Sequence, residues 1–213
     1  GTGEAMFYIG TYTDQAETGG QPGRGIYRAQ LERSRGVLTL EGLVAEVENP
    51  TFLALNADRS RLYALGELMA RGGAEGGTVS AFAIEEGQLR LINDESSGGR
   101  GPAHISLDRS ERMLLVANYA GGSVASLPLR EDGGLEPPSQ IIRHRGRGPL
   151  ADRQGGPHAH SIIADPQNRF ALAADLGTDE VRVYPLDMSA RKLEAEPAYV
   201  MKMPPGAGPR HLA

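Results

Sequence analysis

The sequence predicts an all-β fold, a β-propeller of four-stranded antiparallel blades with about four blades present. Three observations predict it. First, a unit repeats. ENPTFLALNADRSRLYALGEL begins near Pro50, GPAHISLDRSERMLLVANYA near Pro102 and GGPHAHSIIADPQNRFALAADLG near Pro157, and GPRHLA opens at Pro209, so these prolines stand 52, 55 and 52 residues apart. Second, each unit carries four short apolar runs bounded by Gly, Asp, Asn or Pro, which are strand signals, while helical spacing is sustained nowhere. Third, 29 Gly and 14 Pro among 213 residues supply turns for many short elements. Four strands per unit of roughly fifty residues make a propeller blade.

Taken in order, GTGEA ahead of Met6 is set aside as a tag remnant or an upstream in-frame read. MFYIGTYT matches the second strand of a unit, GIYRAQLE the third and GVLTLEGLVAEV the fourth, so the first unit, 6–48, lacks an opening strand. Units 49–100, 101–154 and 155–207 each open near a proline. Their second runs are LYALGE, LLVANYA and FALAADLG, and their third runs are TVSAFAI, SVASLPL and EVRVYPL. Their fourth runs are QLRLIND, GLEPPSQIIR and KLEAEPAYV. Asp58, Asp108 and Asp165 fall between first and second strands, as tight turns in which the carboxylate caps its own backbone. Residues 208–213 begin another unit, and 1–213 reads as one partial propeller domain. In closed propellers the missing opening strand comes from the other end of the chain and removes the exposed edge. GPRHLA would then close a four-bladed ring or open a fifth blade of a longer protein, and the second is the expectation.

Composition narrows the function. The formal charge of −5 comes without a basic stripe, so nucleic acid is not an expected partner. With no cysteine there is no disulfide, thiolate metal site or cysteine nucleophile, which fits the cytoplasm. No signal peptide and no membrane-spanning run is visible, so no membrane partner is expected. Phosphate-binding loops of the GxGxxG or GxxxxGK type and a GxSxG elbow are absent.

The candidate site residues lie near the prolines. His158 and His160 are two apart on a strand and share a face. Opening strands of blades lie nearest the central channel, where an imidazole with a pKa of about 6.5 suits acid–base work. Counting from the prolines, His104 holds the corresponding place one blade earlier and His211 one blade later. Convergence on a metal is disfavoured, because equivalent positions on diverging blades stand too far apart for a common ligand shell. Arg210 is a guanidinium beside the channel, costly to bury without a carboxylate or anionic ligand. Arg153 lies in the long loop RHRGRGPLADRQGGP with Arg143, His144, Arg145 and Arg147, a basic cluster that reads as a solvated loop or as an anion-binding flap. Glu67, Asn118 and Asp175 are matched across blades as polar caps of second strands.

YIGTYT, GPAHIS, NYAGGSV, DRQGGPHAHS, DPQNRF, ADLGTDEVRVY and GAGPRH occur in this order. The set resembles the seven-bladed β-propeller lactonase family, which includes bacterial 6-phosphogluconolactonases of the propeller type and the fungal carboxymuconate cyclase. The resemblance covers essentially all 213 residues and implies a ring of about seven blades. The remaining C-terminal blades of the same chain would be this segment's partner, and the segment alone would be inactive. The family's His directly before Ser favours His160 over His158. The family's active-site glutamate and a later arginine would lie past Ala213.

The implied activity is hydrolysis of a sugar lactone, first 6-phosphogluconolactone to 6-phosphogluconate of the pentose phosphate pathway, with no cofactor and no metal. In that reading His160 (with His158 second), or the glutamate past Ala213, activates water, Arg210 stabilises the oxyanion or holds the lactone, and Arg153, His104 and His211 bind the anionic substrate. A carboxymuconolactone lyase would use the same arginines. A non-enzymatic binding scaffold is the other class, since the fold does not choose function. Convergent His and Arg would mark the enzyme, and an apolar patch on one face would mark the scaffold.

Overall fold

The computed structural model describes residues 3–213 as antiparallel sheets with one helical turn, α1 (Gln15–Thr18). The first sheet holds β1 (Glu4–Ile9), β2 (Gly25–Glu32) and β3 (Val37–Glu46), in that spatial order. It has three strands, as expected of a blade without its opening strand. Glu4 and Ala5, set aside in the sequence reading, extend β1 and pair with Glu32 and Leu31. The second sheet orders β4 (Leu53–Leu55), β5 (Arg61–Gly66), β8 (Thr78–Glu85) and β9 (Gln88–Ser96). A hairpin of β6 (Ala70–Arg71) and β7 (Ala74–Glu75) interrupts its middle connection. The third orders β10 (Pro102–Leu107), β11 (Met113–Asn118), β12 (Ser123–Pro128) and β13 (Gln140–Arg143). The fourth holds β14 (Ala159–Ala164), β15 (Phe170–Asp175) and β16 (Glu180–Asp187), with β17 (Lys192–Leu193) and β18 (Tyr199–Lys202) both pairing with β16. The chain is therefore all-β, a partial propeller of one three-stranded blade and three complete ones.

In the three four-stranded blades the second strands, β5, β11 and β15, are largely apolar because both faces are buried between blades. On β11, Leu114 and Val116 pack with Tyr63, Leu65 and Val79 of the second blade. Met113, Leu115 and Ala117 on its other face pack with Ile162, Ala171, Ala173 and Tyr184 of the fourth. Fourth strands are long in the first two blades, where β3 has ten residues and β9 nine, and short in the last two. There Pro137, Pro138 and Pro197 interrupt the runs, since proline donates nothing to a ladder, and short pieces remain.

The turns between first and second strands repeat closely. Asp108 Oδ1 accepts the N–H groups of Arg112 and Met113, and Asp165 Oδ1 those of Arg169 and Phe170. In the second blade Asn56 takes this place, accepting from Arg61 N–H, while Asp58 Oδ1 caps the same turn by accepting Ser60 N–H at 2.9 Å. The fourth residue of each turn, Arg59, Glu111 or Asn168, is left-handed, with φ of 59°, 56° and 57°. Residues 208–213 form no strand among the described residues. A strand exists only where a neighbour supplies the ladder, and no described strand pairs with this segment.

Candidate functional site

The inner strands carry the candidate residues, and β10 lies against both β4 and β14. Both β10 and β14 are bulged near their start. Pro102 pairs with Asn118 and then His104 with Ala117, and Ala159 pairs with Asp175 and then Ser161 with Ala174. Ala103 and His160 are thus the bulged residues, and the partner of His104 by register is Ser161. This corrects the proline count, which equated His104 with His160. A slip of one residue changes the face to which a side chain points. Counting back from the pairs Leu53–Ala64 and Ile105–Val116, Phe52 takes the His104 place in the second blade and Thr51 that of Ala103.

His104 faces the fourth blade. Its Nδ1 accepts the backbone N–H of Ile162 at 3.2 Å, while Ser106 Oγ donates to the carbonyl of the same Ile162 at 2.6 Å. Because Nδ1 is an acceptor, the ring proton sits on Nε2, which makes the neutral imidazole a donor toward its open side. Burial, then the neighbouring His211 and His160, push its pKa down to about 4. This gives a stability prediction. Above pH 6.5 the group is neutral folded and unfolded and contributes nothing to the pH dependence. As pH falls from 6.5 toward 4 the unfolded chain takes the proton first, so roughly 3 kcal/mol of stability is lost across that window. Urea unfolding of His104→Asn, which keeps an acceptor for Ile162, should show a smaller loss between pH 7 and 4. An unchanged slope would contradict this assignment.

His158 holds a different proton. Its Nδ1 donates to the carbonyl of Tyr119 at 2.9 Å, and its ring stacks on Tyr119 with centroids 4.7 Å apart. Its Nε2 is left as the acceptor. His160 stands edge-on to Tyr119 at 5.8 Å and to His211 at 4.8 Å, and His211 lies 6.4 Å from His104. Nδ1 of His160 is buried without a hydrogen-bond partner among the described residues, so exchange with a ligand belongs to Nε2. Burial first, then the charges of His211 and Arg210, hold the His160 pKa below the ordinary imidazole range. Arg210 is exposed, and among the described residues its side chain hydrogen-bonds only the Gly208 carbonyl, at 3.4 Å. The burial that would demand an anionic partner is therefore not present, and the residue is a solvated cation beside the imidazoles.

Glu67 also acts on His160 electrostatically, raising its pKa. The register moves Glu67 as well. Glu67 N–H bonds the Asn49 carbonyl as Tyr119 N–H bonds that of Gly101, so Glu67 matches Tyr119, while Asn118 matches Asp175. Glu67 accepts from the Tyr12 hydroxyl at 2.9 Å and from Thr51 Oγ1 at 2.6 Å, and burial and this carboxylate push Tyr12 up to about 12. Tyr12, Thr51 and Tyr119 were not singled out from the sequence. Thr51 follows Pro50, and Tyr12 and Tyr119 follow the second strands of their blades; a single tyrosine or threonine at a strand end is too ordinary a pattern to mark them.

Asn118 and Asp175 are structural caps. Asn118 donates to the Ser97 carbonyl and Ser123 Oγ. Asp175, fully buried, accepts from the backbone N–H groups of His158, Gly177 and Thr178 and from His144 Nδ1 at 2.6 Å. His144 thus leaves the basic cluster and turns inward, its Nε2 3.0 Å from the Tyr184 hydroxyl. Burial alone would raise the Asp175 pKa, but the bonds from His144 and His158 outweigh it and hold it below the usual carboxylate range. Arg143, Arg145, Arg147 and Arg153 are exposed, and among the described residues no hydrogen bond or ion pair joins the Arg153 side chain to the imidazoles.

The structure therefore brings together His104, His160, His211 and Arg210, flanked by His158, Tyr119 and Glu67, with Arg153 apart. Among the described residues no group of three or more His, Asp or Glu is arranged to hold a metal ion. Donors (His104 Nε2–H and Arg210) beside unprotonated imidazole nitrogens can polarise a carbonyl and take a proton from water.

The chain is 34% identical to the 6-phosphogluconolactonase of Bacillus subtilis over 208 residues, 97% of this chain and 55% of that protein. A candidate 6-phosphogluconolactonase from Bacteroides fragilis superposes with a TM-score of 0.86 at 31% identity, covering 98% of this chain and 57% of its own. The periplasmic gluconolactonase of Pseudomonas aeruginosa gives 0.83 at 30% identity, covering 97% and 58%. The chain spans about half the length of the curated relatives it matches. The family model for the lactonase of seven-bladed β-propeller type matches residues 6–213, and the chain belongs to that family.

Proposed function

We propose that the protein carrying this chain hydrolyses a sugar lactone, with 6-phosphogluconolactone as the leading substrate and 6-phosphogluconate as product. The observation that carries the reading is the gathering of His104, His160, His211 and Arg210 at the inner ends of successive blades. Nε2 of His160 takes a proton from water as its oxygen attacks the lactone carbonyl. Arg210 and Nε2–H of His104 receive the oxyanion. The ring C–O bond then breaks, and His160 returns the proton to the leaving oxygen, giving the open hydroxy acid. The resemblance adds a glutamate after GPRH that would share the base role. The arginines of residues 143–153 are the proposed phosphate contacts, and the cytoplasm is the proposed compartment, where phosphorylated sugars are retained.

The exposed Met6, Phe7, Val37, Leu38 and Leu40 of the first blade favour a covering partner, and we assign that role to further blades of the same chain. Among the described residues no helix is long and apolar enough to cross a membrane.

A second reading is favoured by the Pseudomonas neighbour, whose description as a periplasmic gluconolactonase names no phosphate. The test is acid release from 6-phosphogluconolactone and from gluconolactone, followed by pH-stat against spontaneous opening. Faster turnover of the phosphorylated lactone supports the first reading, and equal or faster turnover of the plain lactone supports the second. No acceleration of either by the whole protein would sink both.

A further inference from the structure

Arg210 and His211 sit on a segment that belongs to no sheet, yet they stand beside imidazoles that do. Something must hold residues 204–211 in place, and one side chain does most of it. Oδ2 of Asp179 accepts the backbone N–H of Gly206 at 2.7 Å, and Oδ1 accepts that of Gly208 at 2.8 Å. The Asp179 carbonyl accepts Met203 N–H at 2.8 Å. Gly208 then turns with φ of 57° into Pro209 and Arg210.

A third donor reaches the same carboxylate. Gln154, only 1% exposed, donates Nε2 to Asp179 Oδ1 at 2.7 Å and to the Leu176 carbonyl at 2.8 Å. Its own Oε1 accepts from Leu150 N–H at 3.2 Å. Gln154 thus anchors the arginine-bearing loop at the point where the Arg210 segment is anchored. All three groups facing Asp179 are donors, so the position asks for an acceptor-only side chain, and a carboxylate is the one that fits. Asp179 also adopts the left-handed conformation, φ 55°, which aspartate tolerates better than most residues.

We propose that Asp179 is a positioning residue of the candidate site: it fixes residues 206–208 and so sets where Arg210 and His211 stand against His160, and through Gln154 it ties that placement to the arginine-bearing loop. The importance of the placement rests on the proposed lactonase site, but the placement itself does not. The low pKa of Asp179 agrees with it: burial would raise it, and the bonds from Gly208, Gly206 and Gln154 bring it down.

The test uses NMR on the full chain with Asp179→Ala, Asp179→Asn and, as a control, Asp165→Ala, which removes a comparable backbone cap elsewhere in the same blade. In Asp179→Ala, amide exchange at Gly206 and Gly208 should accelerate at least tenfold. The His160–His211 cross-relaxation should vanish, and the His160 titration should move up, since His211 and Arg210 depress it while Glu67 opposes them. Asp179→Asn keeps the shape and offers a donor where an acceptor is needed, so it should show the same changes in smaller degree even if the alanine variant does not fold. Asp165→Ala should lower Tm and leave the His160 titration and contact unchanged. The proposal is overturned if both Asp179 variants keep the His160–His211 contact and titration, or if Asp165→Ala moves them equally. Movement of the imidazoles in a protein that opens no lactone would leave Asp179 as the positioning residue and remove only the function assigned to the site.

Discussion

Asp175→Ala should cost about 3–5 kcal/mol of unfolding free energy, the range found when one member of a buried charged or hydrogen-bonded pair is removed. The side chain is fully buried and its two oxygens serve four donors, three of them backbone N–H groups just before β14 and just after β15. Alanine would leave those amides and His144 Nδ1 unsatisfied, and each orphaned buried group costs about 1–3 kcal/mol. For a chain of this size that lowers Tm by roughly 2–4 °C per kcal/mol. Asp175→Asn keeps one acceptor oxygen for the backbone and disturbs mainly the bond to His144, so its loss should be well under half that of the alanine variant. Denaturant titration of both reads this directly. A loss below about 1 kcal/mol for the alanine variant would mean that the Asp175–His144–Tyr184 chain is not the clamp between the third and fourth blades that its geometry describes.

Arg210→Ala should lower kcat/KM for the lactone at least tenfold, about 1.4 kcal/mol of transition-state stabilisation. The residue is exposed and makes one long backbone contact, so the fold should survive its loss, with Tm within a degree or two of wild type. A kcat effect with little change in KM would place the guanidinium on the oxyanion, and the reverse pattern would place it on the ground-state substrate. The same reaction has a pH signature. The base must be unprotonated, and burial together with His211 and Arg210 holds the His160 pKa down, so the acid limb of the kcat/KM profile should lie below pH 6.5. In Arg210→Ala one depressing charge is gone and the limb should move upward. An unmoved limb with unchanged rate would remove Arg210 from the mechanism.

Much of the fold was legible because blade packing leaves a strong imprint. Strands such as Met113–Asn118 are covered on both faces, so their apolar runs are continuous, and the residues flanking them must turn. What the sequence concealed was register. Pro157 is followed by one more residue before its histidine than Pro102 is, and only the bulge at Ala159/Ser161 shows that His160 matches Ala103. The same one-residue ambiguity misplaced Glu67 among the strand caps, and a two-residue offset set Asp58 rather than Asn56 beside Asp108 in the turn.

His144 was hidden for another reason. It lies among arginines in RHRGR, and its burial depends on Asp175 and Tyr184, which come from the next blade. The gathering of His104, His160 and His211 was anticipated from their common approach to the channel, yet their rings come closer than diverging blades suggest. His211 is brought there by a segment that Asp179 holds outside any sheet. The coupling between ADLGTDEV and GAGPRH, visible in sequence only as spacing, is in physical terms one carboxylate and two glycine amides.

The central claim is that the lactone sits against these imidazoles. It is tested most directly by titrating the protein with 6-phosphogluconate, the stable product, while following the imidazole carbon-bound protons by NMR. The account predicts saturable shifts at His104, His160 and His211, with none at His144, which is sealed behind Asp175 and Tyr184. Binding that leaves the first three unmoved, or shifts confined to other parts of the blades, would contradict it.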